Sequence, residues 1–257
     1  MENGSVTIFE NNWICSHCDT DNTSKSRFCK KCGQPRFALS SEFGKKSVYS
    51  VMALYFLLLF GIIYIWFAEP GGIGWRGELY ASLILAGITV VFVFFDLRDF
   101  VRYLFPSRIK WNILFGIIVF APIFSFLVSN VVNLANRFLF NEYTDGFNRY
   151  NDAPNPLVYA VIFTAVFPAI FEELAFRGVI FSRGRGVFSL KQTILVSSIL
   201  FTFLHLSLLS FIWIFPFALL LGWLRAKYRT VFYGICVHFL HNFTAVILEY
   251  YHWDNFL

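Results

Sequence analysis

The sequence predicts an all-α polytopic membrane protein: a transmembrane helix bundle of about seven spans, with a small cysteine-rich module at its N-terminal end. Three observations predict it. The 257 residues are 57% hydrophobic and only 14% charged, with 34 Phe and a mean hydropathy of +0.60, far from an ordinary soluble domain. The apolar residues gather into stretches of about 20, the length that crosses roughly 30 Å of hydrocarbon. Four of the five cysteines fall within the polar first 46 residues.

Residues 1–33 read as a zinc finger. Cys15 and Cys18 form one C-x-x-C knuckle in "WICSHC", and Cys29 and Cys32 form another in "FCKKCG", with ten residues between the two. Two knuckles bring four thiolates to the corners of a tetrahedron. That suits a structural zinc, and it folds a segment too short to bury a core of its own. A pair of disulfides is the other reading of four cysteines, and a reducing cytoplasmic side argues against it. With Trp13 ahead of the first Cys and Asn22 after the second, the stretch resembles the Ran-binding-protein type of zinc finger. The resemblance implies a zinc-folded platform, open to a cytoplasmic protein partner. Residues 34–46 read as a polar linker. Cys236, in the last span, reads as a small core residue.

Three spans follow, from Ser47 to Phe67, Leu79 to Phe95 and Trp111 to Ala135, and residues 47–135 are expected to be non-catalytic. Four more run from Leu157 to about Ser182, about Gln192 to Leu209, Phe211 to Leu224 and Val231 to Leu248, giving a catalytic core over 157–248. No apolar core of a cleavable signal precedes the first span, which is expected to act as the insertion signal. Counted over alternate loops, eighteen of the 21 Lys and Arg fall on one side, including Arg225, Lys227 and Arg229 in "RAKYR". Only Arg76, Arg137 and Arg149 fall on the other. Cytoplasmic loops carry the basic excess. The expectation is therefore a multi-pass protein of the lipid bilayer with a cytoplasmic N-terminus, in the plasma membrane if the host is prokaryotic. The net charge of +5 is a topology signal and gives no argument for nucleic acid.

Within the predicted spans, ionisable groups fall only in the last four: Glu172, Glu173, Arg177, His205, His238 and His241. Charge at bilayer depth costs several kcal/mol or more and by default marks a protected or watery interior. Glu173 lies four residues before Arg177 and can pair with it along one helical face, and Arg177 could also snorkel to the surface. Glu172 points about 100° away from its neighbour and needs a partner on another helix. Pro168 offers no N–H to the Thr164 carbonyl one turn back, so the helix should kink just before the glutamates.

In "EELAFR" three residues separate Glu173 from Arg177. In "FTFLH" three separate Phe201 from His205, and in "HFLHN" three separate His238 from Asn242. In that order on successive helices, the motifs resemble those of the CAAX-processing and bacteriocin-processing (CPBP) family of intramembrane endopeptidases, over about residues 157–248. The resemblance implies a glutamic endopeptidase whose cavity lies in the membrane and opens to the cytoplasm. It makes Glu172 the residue that activates water and His205 its partner on the water. It makes His238 and Asn242 the donors to the oxyanion, with Glu173 and Arg177 holding the site together. His241 shares an arc with His238 and Asn242, and only the spacing to Asn242 chooses between the two histidines.

Peptide hydrolysis needs those elements in any case: an activated water, and donors for the charge that develops on the carbonyl oxygen. The expected substrate is a membrane-associated protein or peptide, and no metal or other cofactor is expected in the catalytic site. Two other readings remain. Glu172, His205 and His238 could form a His, His, carboxylate zinc set of a metalloprotease. Alternatively, the polar cluster could be interhelical glue in a non-catalytic adaptor that recruits partners through its finger.

Overall fold

The computed structural model describes residues 12–15, 19–24, 26, 29–31, 42–68, 74–95, 101, 103–140 and 146–253, without the side chains of 42, 43, 140 and 208–210. A two-residue antiparallel ladder, β1 (Trp13–Ile14) with β2 (Asp21–Asn22), forms the described part of the head. The rest is helical: α1 (Glu42–Ala68), α2 (Trp75–Phe95), α3 (Trp111–Phe140), a short 3₁₀ turn (Gly146–Tyr150), α4 (Pro156–Gly184), α5 (Leu190–Leu204), α6 (Leu208–Tyr228) and α7 (Phe232–Tyr250).

Six helices among the described residues are long and apolar enough to cross a membrane: α1, α2, α3, α4, α6 and α7. The remaining expected span is α5, whose 15 residues rise only about 22 Å at 1.5 Å per residue, short of the hydrocarbon thickness. Its ends explain the length. Ser189 and Gln192 form a reciprocal capping box that fixes the start. At the other end the chain turns at His205, and Leu206 adopts a left-handed φ of 50°, where a continuing helix is impossible.

α1 and α2 pack as one hairpin, α5 and α6 as another, and α3 lies along α7. α4 packs against α7 and α2. The outward faces of α1, α2 and α3 carry large apolar side chains such as Phe60, Phe94 and Phe115, which is what lipid-facing surfaces require.

The two groups of loops separate as the basic count expects. Tyr103 and Leu104, between α2 and α3, bond through their carbonyls to the Val231 N–H and the Thr230 hydroxyl, and Tyr233 accepts from the Lys110 N–H. These ties hold Lys110 and the α6–α7 turn, with Lys227 and Arg229, on one face. Arg149 pairs with Glu78 on the opposite face. Arg225 departs from the count. It is buried on α6, where its Nε donates to the Arg177 carbonyl at 2.9 Å and its guanidinium stacks 4.4 Å from the Tyr103 ring.

Candidate active site

The two glutamates stand on a seven-residue α-helical stretch of α4, Phe167–Glu173, set between two π-helical stretches, Val161–Val166 and Leu174–Ile180. Such wide turns are rare and concentrate at functional positions. Their neighbouring side chains divide as helical geometry demands. Glu173 is fully buried, while Glu172 is partly exposed and lines a cavity.

Glu173 belongs to a buried cluster that joins α4 to α6 and α7. Arg177 is also fully buried, so it pairs inward rather than reaching for the surface. Its Nη1 donates to Glu173 Oε1 and its Nη2 to the Ala218 carbonyl, both at 3.0 Å, and its guanidinium lies 4.3 Å from the centre of the Phe201 ring. Gly234 on α7 makes room for this cluster, because a Cβ there would sit 2.6 Å from Glu173 Oε2. His238, one turn further along α7, stands between the two carboxylates. Its Nδ1 is 3.4 Å from Glu173 Oε1 and its Nε2 is 3.8 Å from Glu172 Oε2. The first is a close electrostatic contact without hydrogen-bond alignment, and Glu172 Oε2 has no hydrogen-bond partner among the described residues. Phe201 holds the histidines in place, its ring centre 4.9 Å from that of His205 and 5.9 Å from that of His238.

Glu172, His205, His238, His241 and Asn242 line one cavity of about 200 Å³, together with side chains from α2 and α6. His205 sits at the end of α5, its Nδ1 3.0 Å from the Phe201 carbonyl. His241 is nearly fully buried against Phe217 and Trp213. Its Nδ1 and the Trp213 indole N–H have no hydrogen-bond partner among the described residues. The His241 carbonyl accepts from Ser125 of α3 at 2.8 Å.

Asn242 ties α7 to α4. Its Nδ2 donates at 2.8 Å to the Thr164 carbonyl, the acceptor that Pro168 cannot serve, while the Thr164 hydroxyl lies 2.8 Å from that of Tyr150. Asn242 and His238 thus share the cavity, with one Asn242 amide hydrogen committed to Thr164. Burial pushes the Tyr150 hydroxyl above its ordinary value, with Glu78 adding to the effect.

Sequence reading missed Glu78 and Arg149, which also line the cavity. Glu78 was excluded by starting the second span at Leu79, whereas α2 begins at Trp75 and carries it in its first turn. Burial alone would lower the Arg149 guanidinium, and Glu78 more than compensates, so it stays above its ordinary value. Because these two residues lie on the face opposite the basic loops, the cavity reaches that face. The family resemblance and the basic count therefore assign its mouth to opposite sides.

Among the described residues, no three His, Cys, Asp or Glu side chains converge as a metal-ligand set, so Glu172, His205 and His238 are not arranged as one. In the head, Cys18 and Cys32 lie outside the described residues. Cys15 and Cys29 are buried, and the Lys31 N–H donates to Cys29 Sγ at 3.4 Å. Asn22 faces Trp13 across the ladder. It accepts from the Lys30 N–H and donates to the Thr20 carbonyl, tying the two knuckle regions together.

Residues 154–244 match the sequence model of the Rce1-like family, described as type II CAAX prenyl endopeptidase Rce1-like. The matched stretch is shorter than half the chain. It runs from the turn before α4 into α7, taking in every cavity histidine and both glutamates of α4, but neither Glu78 nor the head. No curated protein and no solved structure matches the chain.

Proposed function

We propose, from this similarity and the geometry of the cavity, that the chain is an intramembrane endopeptidase that hydrolyses a membrane-associated protein or peptide by glutamate-activated water. The observation that carries the reading is Glu172 Oε2, buried in a polar cavity within an apolar bundle, with His238 Nε2 nearby and no other described partner. A carboxylate so placed acts as a general base. Water between Glu172 and His205 gives a proton to Glu172 as its oxygen adds to the peptide carbonyl carbon. The resulting oxyanion is met by His238 and by the Asn242 amide hydrogen not committed to Thr164. Glu172 then returns the proton to the leaving nitrogen, the C–N bond breaks, and a carboxylic acid and an amine depart. Glu173 and Arg177 touch neither substrate nor water; they fix His238 and the turn of α4.

The cysteines have their own part in this proposal. The ladder, the buried Cys15 and Cys29 and the N–H donated to Cys29 Sγ fit a zinc knuckle. Cys15, Cys18, Cys29 and Cys32 would hold one structural zinc, which supplies the folding energy of the head.

The test is hydrolysis of a peptide mixture by purified protein reconstituted in liposomes in ¹⁸O-labelled water. Single cleavages that leave one ¹⁸O in the new carboxylate are expected, and Glu172→Gln should lose them by at least about 10²-fold, the contribution of a general base. Undiminished cleavage by Glu172→Gln would overturn the assignment.

A further inference from the structure

The first two helices, which the sequence sets outside the catalytic core, wall a second cavity of about 140 Å³ that shares Glu78, Phe163, Pro168 and Glu172 with the first. Glu172 therefore stands at the junction of two spaces. The first holds the histidines and Asn242 and suits a substrate backbone, whose amides must find partners in a membrane. The second is lined mainly by apolar side chains from α1 and α2, closed by Leu204 of α5. We infer that this second limb is a side-chain subsite: it takes the apolar residue next to the cleaved bond and so sets specificity. The inference rests on the peptidase reading above.

Its size follows from small residues at the lining. Gly61, Ala81 and Ser82 place little side-chain bulk on the lining. A Cβ at Gly61 would lie 2.8 Å from Ile84 Cγ2, so α1 and α2 are already in contact there and the limb is bounded on that side. A dry cavity of about 150 Å³ holds a benzene ring. The limb thus fits a Leu or Phe side chain, leaves much of its volume empty around Ala, and excludes Trp. None of the small residues belongs to the stretch that matches the endopeptidase family. Two chains with the same catalytic helices could therefore differ in preference through α1 and α2 alone.

The experiment uses the full chain in detergent and internally quenched peptides in which each position around the cleaved bond is varied through Ala, Leu, Phe and Trp. Wild-type protein should prefer Leu or Phe at one position adjacent to the bond. Ala81→Phe, which fills the limb, should move that preference to Ala by about tenfold or more in kcat/KM, the scale of hydrophobic-pocket discrimination. Leu85→Ala, which enlarges the limb, should move it towards Trp, with the other positions unchanged in both variants. Equal losses on every peptide, or unaltered preferences in both variants, would overturn the subsite while leaving the peptidase intact. Wild-type protein that cleaves none of the peptides, here or in the liposome assay, would instead overturn the peptidase reading, and the subsite with it.

Discussion

Glu173 and Arg177 could be read from the sequence as an i,i+4 pair, and the structure joins them. What surrounds them was not legible, because the contacts come from distant parts of the chain. Gly234 carries no chemistry in the sequence, yet a methyl group there would press on the Glu173 carboxylate. Pro168 told of an orphaned Thr164 carbonyl and "HFLHN" told of Asn242. That each is the other's answer, across 78 residues, follows only from how α7 lies against α4. At this scale the expected outcome is specific. Gly234→Ala should destabilise the protein by about 1–3 kcal/mol, as overpacking does. It should lower cleavage as well, because it displaces the carboxylate that faces His238. Gly116→Ala, where no atom lies within 4 Å of the added carbon, is the control. Thermal denaturation and cleavage rates of the two variants check this; equal behaviour would refute the contact.

The helices themselves were legible because hydropathy and length suffice to draw them, and the three motifs fell on α4, α5 and α7 in the order read. The short α5 was not, since the apolar run continues unbroken past His205 and only the backbone turn at Leu206 divides it from α6. The π-helical stretches of α4 were half legible: Pro168 announces a disturbed turn before the glutamates, but nothing in "LAFRGVI" announces the second. Buried Arg225, donating to the Arg177 carbonyl inside that stretch, gives it a physical partner. For the head, the expectation concerns metal. Purified full-length protein should contain about one zinc per chain, and Cys15→Ser or Cys29→Ser should remove it. Elemental analysis that finds no zinc in wild-type protein would reject the finger.

Across the whole molecule, the asymmetry of basic residues survives as two faces, one holding Lys110, Lys227 and Arg229 and the other Arg149. This predicts opposite accessibility. In sealed vesicles of one orientation, a membrane-impermeant maleimide should label Arg149→Cys from one side and Lys227→Cys only from the other. Labelling of both from the same side would contradict the arrangement. Attaching a bulky maleimide at position 149 should also slow cleavage, since Arg149 lines the cavity.

The Glu78–Arg149 pair gives this arrangement a directional consequence. If the basic loops are cytoplasmic, as the basic count expects, the cavity reaches the other face. On the reading proposed above, a peptidase built this way would be vectorial: it would cut a chain anchored in the bilayer and release the polar fragment on the side away from the basic loops, so each cut would also be an export.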